Sequence, residues 1–273
     1  MIPDFVYIII IAVAVIFGAT YVSMILPNGK RKYSLPEKGY AHRGLWNEKL
    51  PENSIPAFNA AIDGGFGIEC DVQLTKDGVP IIFHDDTLTR MCGVRKKVSE
   101  LTLEEIKELK LAESEYGIPT LEEFLECVGG RVPLLIELKG VTFNTELCDT
   151  VAPILDKYEG EFVIESFNPI LLGQMKDIRP EFVRGQLVTT LNREKNGASQ
   201  GFIKNFLLAA LMTNFMSRPD FIAYNKEFPF GISLFLVTRF FGAKRCVWTI
   251  KTKEEYEKAI KKGICPIFDG FTP

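Results

Sequence analysis

The chain has 273 residues, 47% hydrophobic and 25% charged, with a formal net charge of −3 and an isoelectric point near 5.7. That balance argues against nucleic acid as a partner and favours one large domain plus a membrane element over two domains. The six cysteines form no Cys-x-x-Cys pair and mostly sit in apolar runs, so they read as buried free thiols rather than disulfides or a zinc site.

The first predicted element is a membrane span. Phe5 to Leu26 is a run of 22 uncharged residues, about 33 Å as a helix against a bilayer core of about 30 Å. Asp4 precedes it, and Lys30, Arg31 and Lys32 follow. A secretory signal carries its positive charge ahead of the apolar stretch. Here the charge comes after, which predicts a single-pass anchor with the C-terminal side in the cytoplasm. The competing reading is a cleaved signal peptide, since Ala19 and Ser23 are small residues near the end of the run. The expected organisation is a tail over 1–4, a transmembrane helix over 5–26, a polar linker over 27–37 and a catalytic domain over 38–273.

Beyond the linker, short β-like runs alternate with longer helical ones. Strands are expected at Tyr40–His42, Gly67–Val72, Pro80–Phe83, Leu134–Leu138, Phe162–Glu165, Val183–Leu187, Phe221–Tyr224 and Cys246–Ile250. Helices are expected at Ser54–Asp63, Thr102–Leu109, Leu121–Val128, Asn144–Lys157, Pro169–Asp177 and Lys253–Lys262. Eight strands in such a series predict an α/β fold, a closed (β/α)8 TIM barrel preceded by the one N-terminal helix. Thr75-Lys-Asp-Gly78 is a turn joining two of the strands directly. Two further apolar stretches are too short and too interrupted to span. Phe228 to Phe241 is expected to be a core helix. Phe202 to Phe215 carries an apolar face containing Phe206 and Leu211. It is expected either in the core or as a flap at the barrel mouth that faces the bilayer.

The chemistry concentrates in a few residues. The chain has two histidines, His42 in Tyr-Ala-His-Arg-Gly and His84 in Ile-Phe-His-Asp-Asp. Imidazole titrates nearest neutrality and can both take and give a proton. Between them Glu69 and Asp71 lie two apart in a strand, so they share a face while Ile68, Cys70 and Val72 take the other. Two buried carboxylates side by side need a cation, and oxygen ligands suit Mg²⁺ or Ca²⁺. Glu137 and Lys139 repeat the pattern, offering a third carboxylate and a partner for an anion. Arg43 can fork onto a phosphate, although a structural salt bridge is an equal reading of it alone. Asp85 or Asp86 can orient His84.

Taken in order, these motifs resemble the glycerophosphodiester phosphodiesterase family. The likeness rests on His-Arg-Gly at 42–44, Pro-Glu-Asn-Ser at 51–54, Ile-Glu-Cys-Asp-Val at 68–72, Thr-Lys-Asp-Gly at 75–78 and Phe-His-Asp at 83–85. Ile-Pro-Thr-Leu-Glu-Glu at 118–123, Ile-Glu-Leu-Lys at 136–139, Trp248-Thr249 and Asp269 extend it. The resemblance implies a TIM barrel with one divalent cation held by Glu69, Asp71 and Glu137, and His42 and His84 as the catalytic pair. Arg43 and Lys139 would hold the phosphate, with Asn53 and Trp248 supporting the substrate pocket. The implied reaction cleaves glycerophosphodiesters to glycerol 3-phosphate and an alcohol. Two features depart from the pattern. The chain end, Ile267 to Pro273, lacks the usual Thr-Asp pair, and Leu191 to Arg218 is longer and more apolar than a barrel connection needs. The second departure, with the anchor, extends the expected substrates to lipid-derived ones such as lysophospholipids and makes the membrane a partner; no protein partner can be inferred. The rival readings are a phospholipase C-like phosphodiesterase and a non-catalytic barrel binding lipid headgroups.

Overall fold

The computed structural model describes residues 3–29, 31–140, 145–190, 202–228 and 231–273. The chain begins with α1 (Asp4–Ile25), β1 (Tyr40–Ala41), α2 (Ile55–Asp63), β2 (Gly67–Leu74), β3 (Pro80–Ile82), α3 (Thr89–Cys92), α4 (Leu103–Lys107) and α5 (Leu121–Val128). There follow β4 (Leu134–Leu138), α6 (Glu146–Leu155), β5 (Phe162–Ser166), α7 (Pro169–Ile178), β6 (Arg184–Val188), α8 (Phe202–Ala209) and α9 (Asn214–Ser217). The last elements are β7 (Phe221–Asn225), α10 (Ile232–Arg239), β8 (Lys244–Ile250), α11 (Lys253–Lys261) and β9 (Cys265–Phe268).

Strands β1, β2 and β4 to β9 are all parallel to their neighbours, and β1 pairs with both β2 and β9, which closes the barrel. The expected barrel is therefore present, with one strand exchanged. Pro80–Ile82 pairs antiparallel with β2 alone and is a hairpin arm outside the ring. A five-residue turn cannot return a strand to parallel pairing, which needs a crossover of a dozen or more residues. The eighth barrel strand is instead Cys265–Phe268, despite the atypical chain end.

Alternation along the strands sorts the side chains as the sequence predicts. Ile68, Cys70, Val72, Leu134, Ile136 and Leu138 point outward into the layer between sheet and helices. Inside, Tyr40, Leu135, Val163, Leu187, Phe221 and Ile267 fill the foot of the barrel. The inward positions further along the same strands are polar, so the site lies at the strands' C-terminal end, as in other barrels of this kind. Local chemistry starts the helices where they are needed. Ser54, Thr120 and Thr252 accept from backbone amides at the starts of α2, α5 and α11, which satisfies otherwise orphaned donors.

The N-terminal segment is more closely built in than a span and linker predict. Residues 7–20 of α1 are exposed, but its last turn enters the barrel wall. Ile25 is 0% exposed, packed with Val188, Leu211, Ile222, Leu234 and Val237. The following residues run beneath the barrel. Asn28 Nδ2 donates to Asp220 Oδ1 at 2.6 Å, Arg31 Nε to the same oxygen at 3.0 Å, and Tyr33 Oη to the Asp220 carbonyl at 2.7 Å. Tyr33 and Leu35 pack against the inner foot.

The stretch Phe202 to Phe215 divides. Ile203 and Phe206 on α8 are 74% and 46% exposed, whereas Leu211 is 0% exposed and part of the wall. Leu211 is thus a core residue and cannot belong to a flap. Residues 191–201, which open the atypical connection, lie outside the described residues, as does Lys30. The helix α10, within the expected core stretch, buries Ser233, Leu234 and Val237 and exposes Ile232.

Candidate active site

Register assembles the carboxylates. Glu69 and Asp71 project inward from β2, and Asp71 is the direct partner of Glu137 on β4. Oxygens from all three lie within 4.8 Å of one another, and all three residues are buried. Burial and the neighbouring Asp71 and Glu137 charges push the Glu69 carboxyl well above its ordinary value. Glu137 is also raised, by burial first, with Lys139 acting against it. Burial also opposes ionisation of Asp71, but Lys139, His84, Arg43 and His42 together outweigh it and hold that carboxyl low. Lys139 Nζ stands 3.5 Å from Asp71 Oδ1 and 3.4 Å from Glu137 Oε1. Asp71 Oδ1 has no hydrogen-bond partner although it is buried. Three crowded carboxylates, one with an unspent oxygen, form a donor set that fits a hard divalent cation.

Two sharp turns carry the rest of the site. Arg43 and Asn53 both adopt left-handed backbone, at φ 59° and 54°, a strained state for residues other than glycine. In these conformations the Arg43 amide donates to Glu69 Oε2 at 2.9 Å, and Asn53 Nδ2 to Asp71 Oδ2 at 2.9 Å. Gly44, at φ 82°, lies so close to α2 that an added Cβ would meet the Ala57 carbonyl carbon at 2.9 Å. The His-Arg-Gly and Pro-Glu-Asn-Ser motifs are thus one structure, two turns locked onto the carboxylates. The Arg43 guanidinium bonds Glu52 Oε1 at 2.8 Å and stands 3.6 Å from Asp71 Oδ2.

The imidazoles flank this group in different surroundings. His42 lies between Glu69 (Nε2 to Oε2, 3.9 Å) and Asp269 (Nδ1 to Oδ2, 3.8 Å). Burial, then the Arg43 charge, lowers its pKa, and Asp269 pulls the other way. His84 Nδ1 is 2.7 Å from Asp85 Oδ1. Hydrogen bonds from His84 and Arg90 overcome burial and keep Asp85 ionised. An ionised carboxylate only accepts, so Nδ1 is the donor and Nε2 is left to exchange a proton. Of the two candidate orienting residues, Asp85 is the one in contact. Trp248, two residues before the end of β8, packs edge-on against Phe167 at 5.6 Å, and gives its indole N–H to the Ala223 carbonyl at 3.2 Å. All the predicted site residues except Trp248 therefore lie in one network of hydrogen bonds and ion pairs around Asp71, and Trp248 stands on the wall across the strand ends.

The model of the glycerophosphoryl diester phosphodiesterase family matches residues 42–271. The chain belongs to this family. The glycerophosphodiester phosphodiesterase of Caldanaerobacter subterraneus subsp. tengcongensis is 33% identical over 82% of this chain and 90% of its own. Among solved structures, an Oleispira antarctica phosphodiesterase in complex with the product sn-glycerol-3-phosphate superposes with a TM-score of 0.68 at 25% identity, covering 84% of this chain and 91% of that one. The Thermotoga maritima glycerophosphodiester phosphodiesterase gives a TM-score of 0.64 at 27% identity, covering 88% and 96%.

For a phosphodiesterase of this family the structure adds residues that sequence reading left without roles. Glu52 is pinned between Arg43 and Arg90. Arg90 also grips Asp85 through Nε at 2.6 Å, so one ion-pair chain runs from Arg43 to His84. Arg90 lies on α3, outside the motifs that carry the family resemblance. Asp269 was visible in the family pattern, but only closure of the barrel brings it to His42. Glu165, the register partner of Glu137, is buried with Oε2 unpartnered. Burial, and then Glu69, Glu137 and Asp71, keep its carboxyl far above the ordinary range.

Proposed function

We propose that this family member hydrolyses glycerophosphodiesters to glycerol 3-phosphate and an alcohol, with Glu69, Asp71 and Glu137 holding one divalent cation, Mg²⁺ or Ca²⁺. The observation that carries the reading is the convergence of three buried carboxylates, two cationic side chains and both imidazoles at one barrel end. When bound, such an ion supplies positive charge that offsets the negative charge growing on the phosphoryl oxygens. Arg43 and Lys139 add fixed positive charge beside the same position. His42, kept neutral by burial and Arg43, suits the base that takes a proton from the attacking hydroxyl. His84, whose Nδ1–H is committed to Asp85, presents Nε2 to the departing alkoxide as the acid. Asn53 holds Asp71 in place, and Trp248 with Phe167 forms an apolar side to the mouth, which supports their assignment to the substrate pocket.

Phosphorus NMR of the purified protein with glycerophosphocholine, glycerophosphoethanolamine and lysophosphatidylcholine, with and without Mg²⁺ or Ca²⁺, tests the reading. Glycerol 3-phosphate from the first two, formed only with the cation, is the expected result. A stable cyclic phosphate would instead favour phospholipase C-like chemistry, and no turnover would leave the headgroup-binding reading.

The same proposal includes the anchor. The helix Asp4–Ile25 is long and apolar enough to span, with a mean hydropathy of 2.6 over its best window. A signal sequence meets the same test, but here the positive charge follows the apolar run instead of preceding it, which supports retention. Charge asymmetry about the helix supports a cytoplasmic barrel. Arg31 is engaged by Asp220 at the barrel foot, so it would act on topology during insertion, before the barrel folds. A C-terminal reporter found active only outside the cell would overturn this orientation.

A further inference from the structure

The path of α1 along the barrel wall sets how the site faces the membrane. Helix α10 follows β7, so it starts at the strands' C-terminal end, where the site is, and descends to the foot. Tyr21 Oη bonds Ser233 Oγ at 2.7 Å, on the first turn of α10. One turn further on, Ile25 packs with Leu234 and Val237, and its carbonyl accepts from Asn214 Nδ2 at 2.9 Å. Arg218 Nη1 donates to the Ser23 and Leu26 carbonyls, both at 3.1 Å. The Asn28 amide then bonds the Pro219 carbonyl at 2.9 Å, just below β7. From Tyr21 to Asn28 the chain therefore runs from rim to foot, crosses beneath the barrel and rises again as β1. Followed backwards, α1 leaves the wall at the rim and extends beyond the catalytic end.

We infer that α1 is a rigid post rather than a tether, and that it holds the barrel with its catalytic mouth against the lipid bilayer. This rests on the reading of α1 as a span. Length supports the close approach. Phe5 to Thr20, the part clear of the barrel, is 16 residues, about 24 Å of helix against a bilayer core of about 30 Å. The shortfall brings the rim around Tyr21 into the interface, a depth that suits tyrosine. The rim there is apolar. Ile232, the first residue of α10, is 75% exposed, and Ile203 near the start of α8 is 74% exposed. Exposure falls along α8 toward buried Leu211, so its start stands off the wall. The substrates favoured by this geometry are amphiphilic glycerophosphodiesters residing in the bilayer, which reach the mouth without crossing water.

The test uses the full-length protein in vesicles of phosphatidylcholine and phosphatidylglycerol. With the half-exposed Cys92 and Cys127 changed to serine, single cysteines at I203C, I232C and K262C carry an environment-sensitive fluorophore, and nitroxide-labelled lipids serve as quenchers. Quenching at the two rim positions and not at Lys262, which lies at the foot, is expected. In parallel, I203S/I232S should slow turnover of vesicle-borne lysophosphatidylcholine about tenfold, from lost apolar contact with the interface. Soluble glycerophosphocholine should be turned over as before, and F240S, an exposed site at the far end of α10, should change neither. Equal quenching at rim and foot, or none at the rim, in protein that resists alkaline extraction would overturn the orientation alone. Release by alkaline carbonate would overturn the span and the inference with it. If the double variant fails to fold, the fluorescence result still decides.

Discussion

Asp71 is the residue at which most of the site's interactions meet. It accepts from Asn53, faces Arg43 and Lys139, and stands beside Glu137 in register. Its neighbour Glu69 is raised by burial and by like charge, so without a cation the cluster favours the protonated state. A carboxyl raised on folding contributes stability below its unfolded value of about 4.5 that is lost as pH rises through the folded value. In chelator, wild type should therefore lose stability relative to Glu69→Gln as pH increases from 5. At a hundredfold excess over Kd, Mg²⁺ or Ca²⁺ should restore about 2.7 kcal/mol, and the variant should show little of that gain. Thermal melts over a pH series read both effects. His42→Ala and His84→Ala should each lower kcat by roughly two to four orders of magnitude with smaller changes in KM. Asp269 raises the His42 pKa against burial. Asp269→Asn should therefore move the acid limb of the kcat/KM profile to lower pH. A limb that stays in place or moves up would contradict His42 as the base.

At the scale of elements, two left-handed turns and one helix end do most of the positioning. Gly44→Ala would push a methyl into α2 and displace Arg43, so it should reduce activity strongly while leaving the distant strands paired. Circular dichroism and turnover on glycerophosphocholine separate these outcomes. Leu211 and Phe206 test the division of the α8 region. Leu211→Ala should cost about 2–5 kcal/mol, as for buried leucines in general, whereas Phe206→Ser, at a half-exposed position, should melt near wild type. Chemical denaturation of both variants in detergent is the measurement. The sequence pattern covered both residues with one apolar face, because periodicity records which residues are apolar and not which of them find a neighbour.

For the whole molecule, the N-terminal helix is part of the fold. Ile25 fills a slot between α9, α10 and the outer faces of β6 and β7. Ile25→Ala should lower stability by about 2–5 kcal/mol, and a chain starting at Pro27 should expose that slot and aggregate. Size-exclusion chromatography of the shortened protein checks this; a monomer with an unchanged melting temperature would show that the helix end is dispensable. The barrel also explains why Arg43 to His84 acts as one unit. Glu52 and Arg90 come from separate connections and meet only above the closed strand ring.

The sequence alone determined the carboxylate face, the two imidazoles and the barrel. These follow from local rules: period-two alternation, short apolar strands between amphipathic helices, and motif order along the chain. It also marked the helix long enough to span. What it misassigned was the strand that closes the ring, since the eight expected strands included Pro80–Phe83 and left out Cys265–Phe268, which pairs with β1. The difference lies in connection length and pairing direction. Partners distant in sequence were likewise hidden. Asp269 reaches His42 only through closure, Arg90 reaches Glu52 across 38 positions, and Ile25 is buried by residues 163 to 218 positions later. The direction in which the site faces was decided by tertiary structure too, because it depends on which side of the barrel wall the last turn of α1 descends.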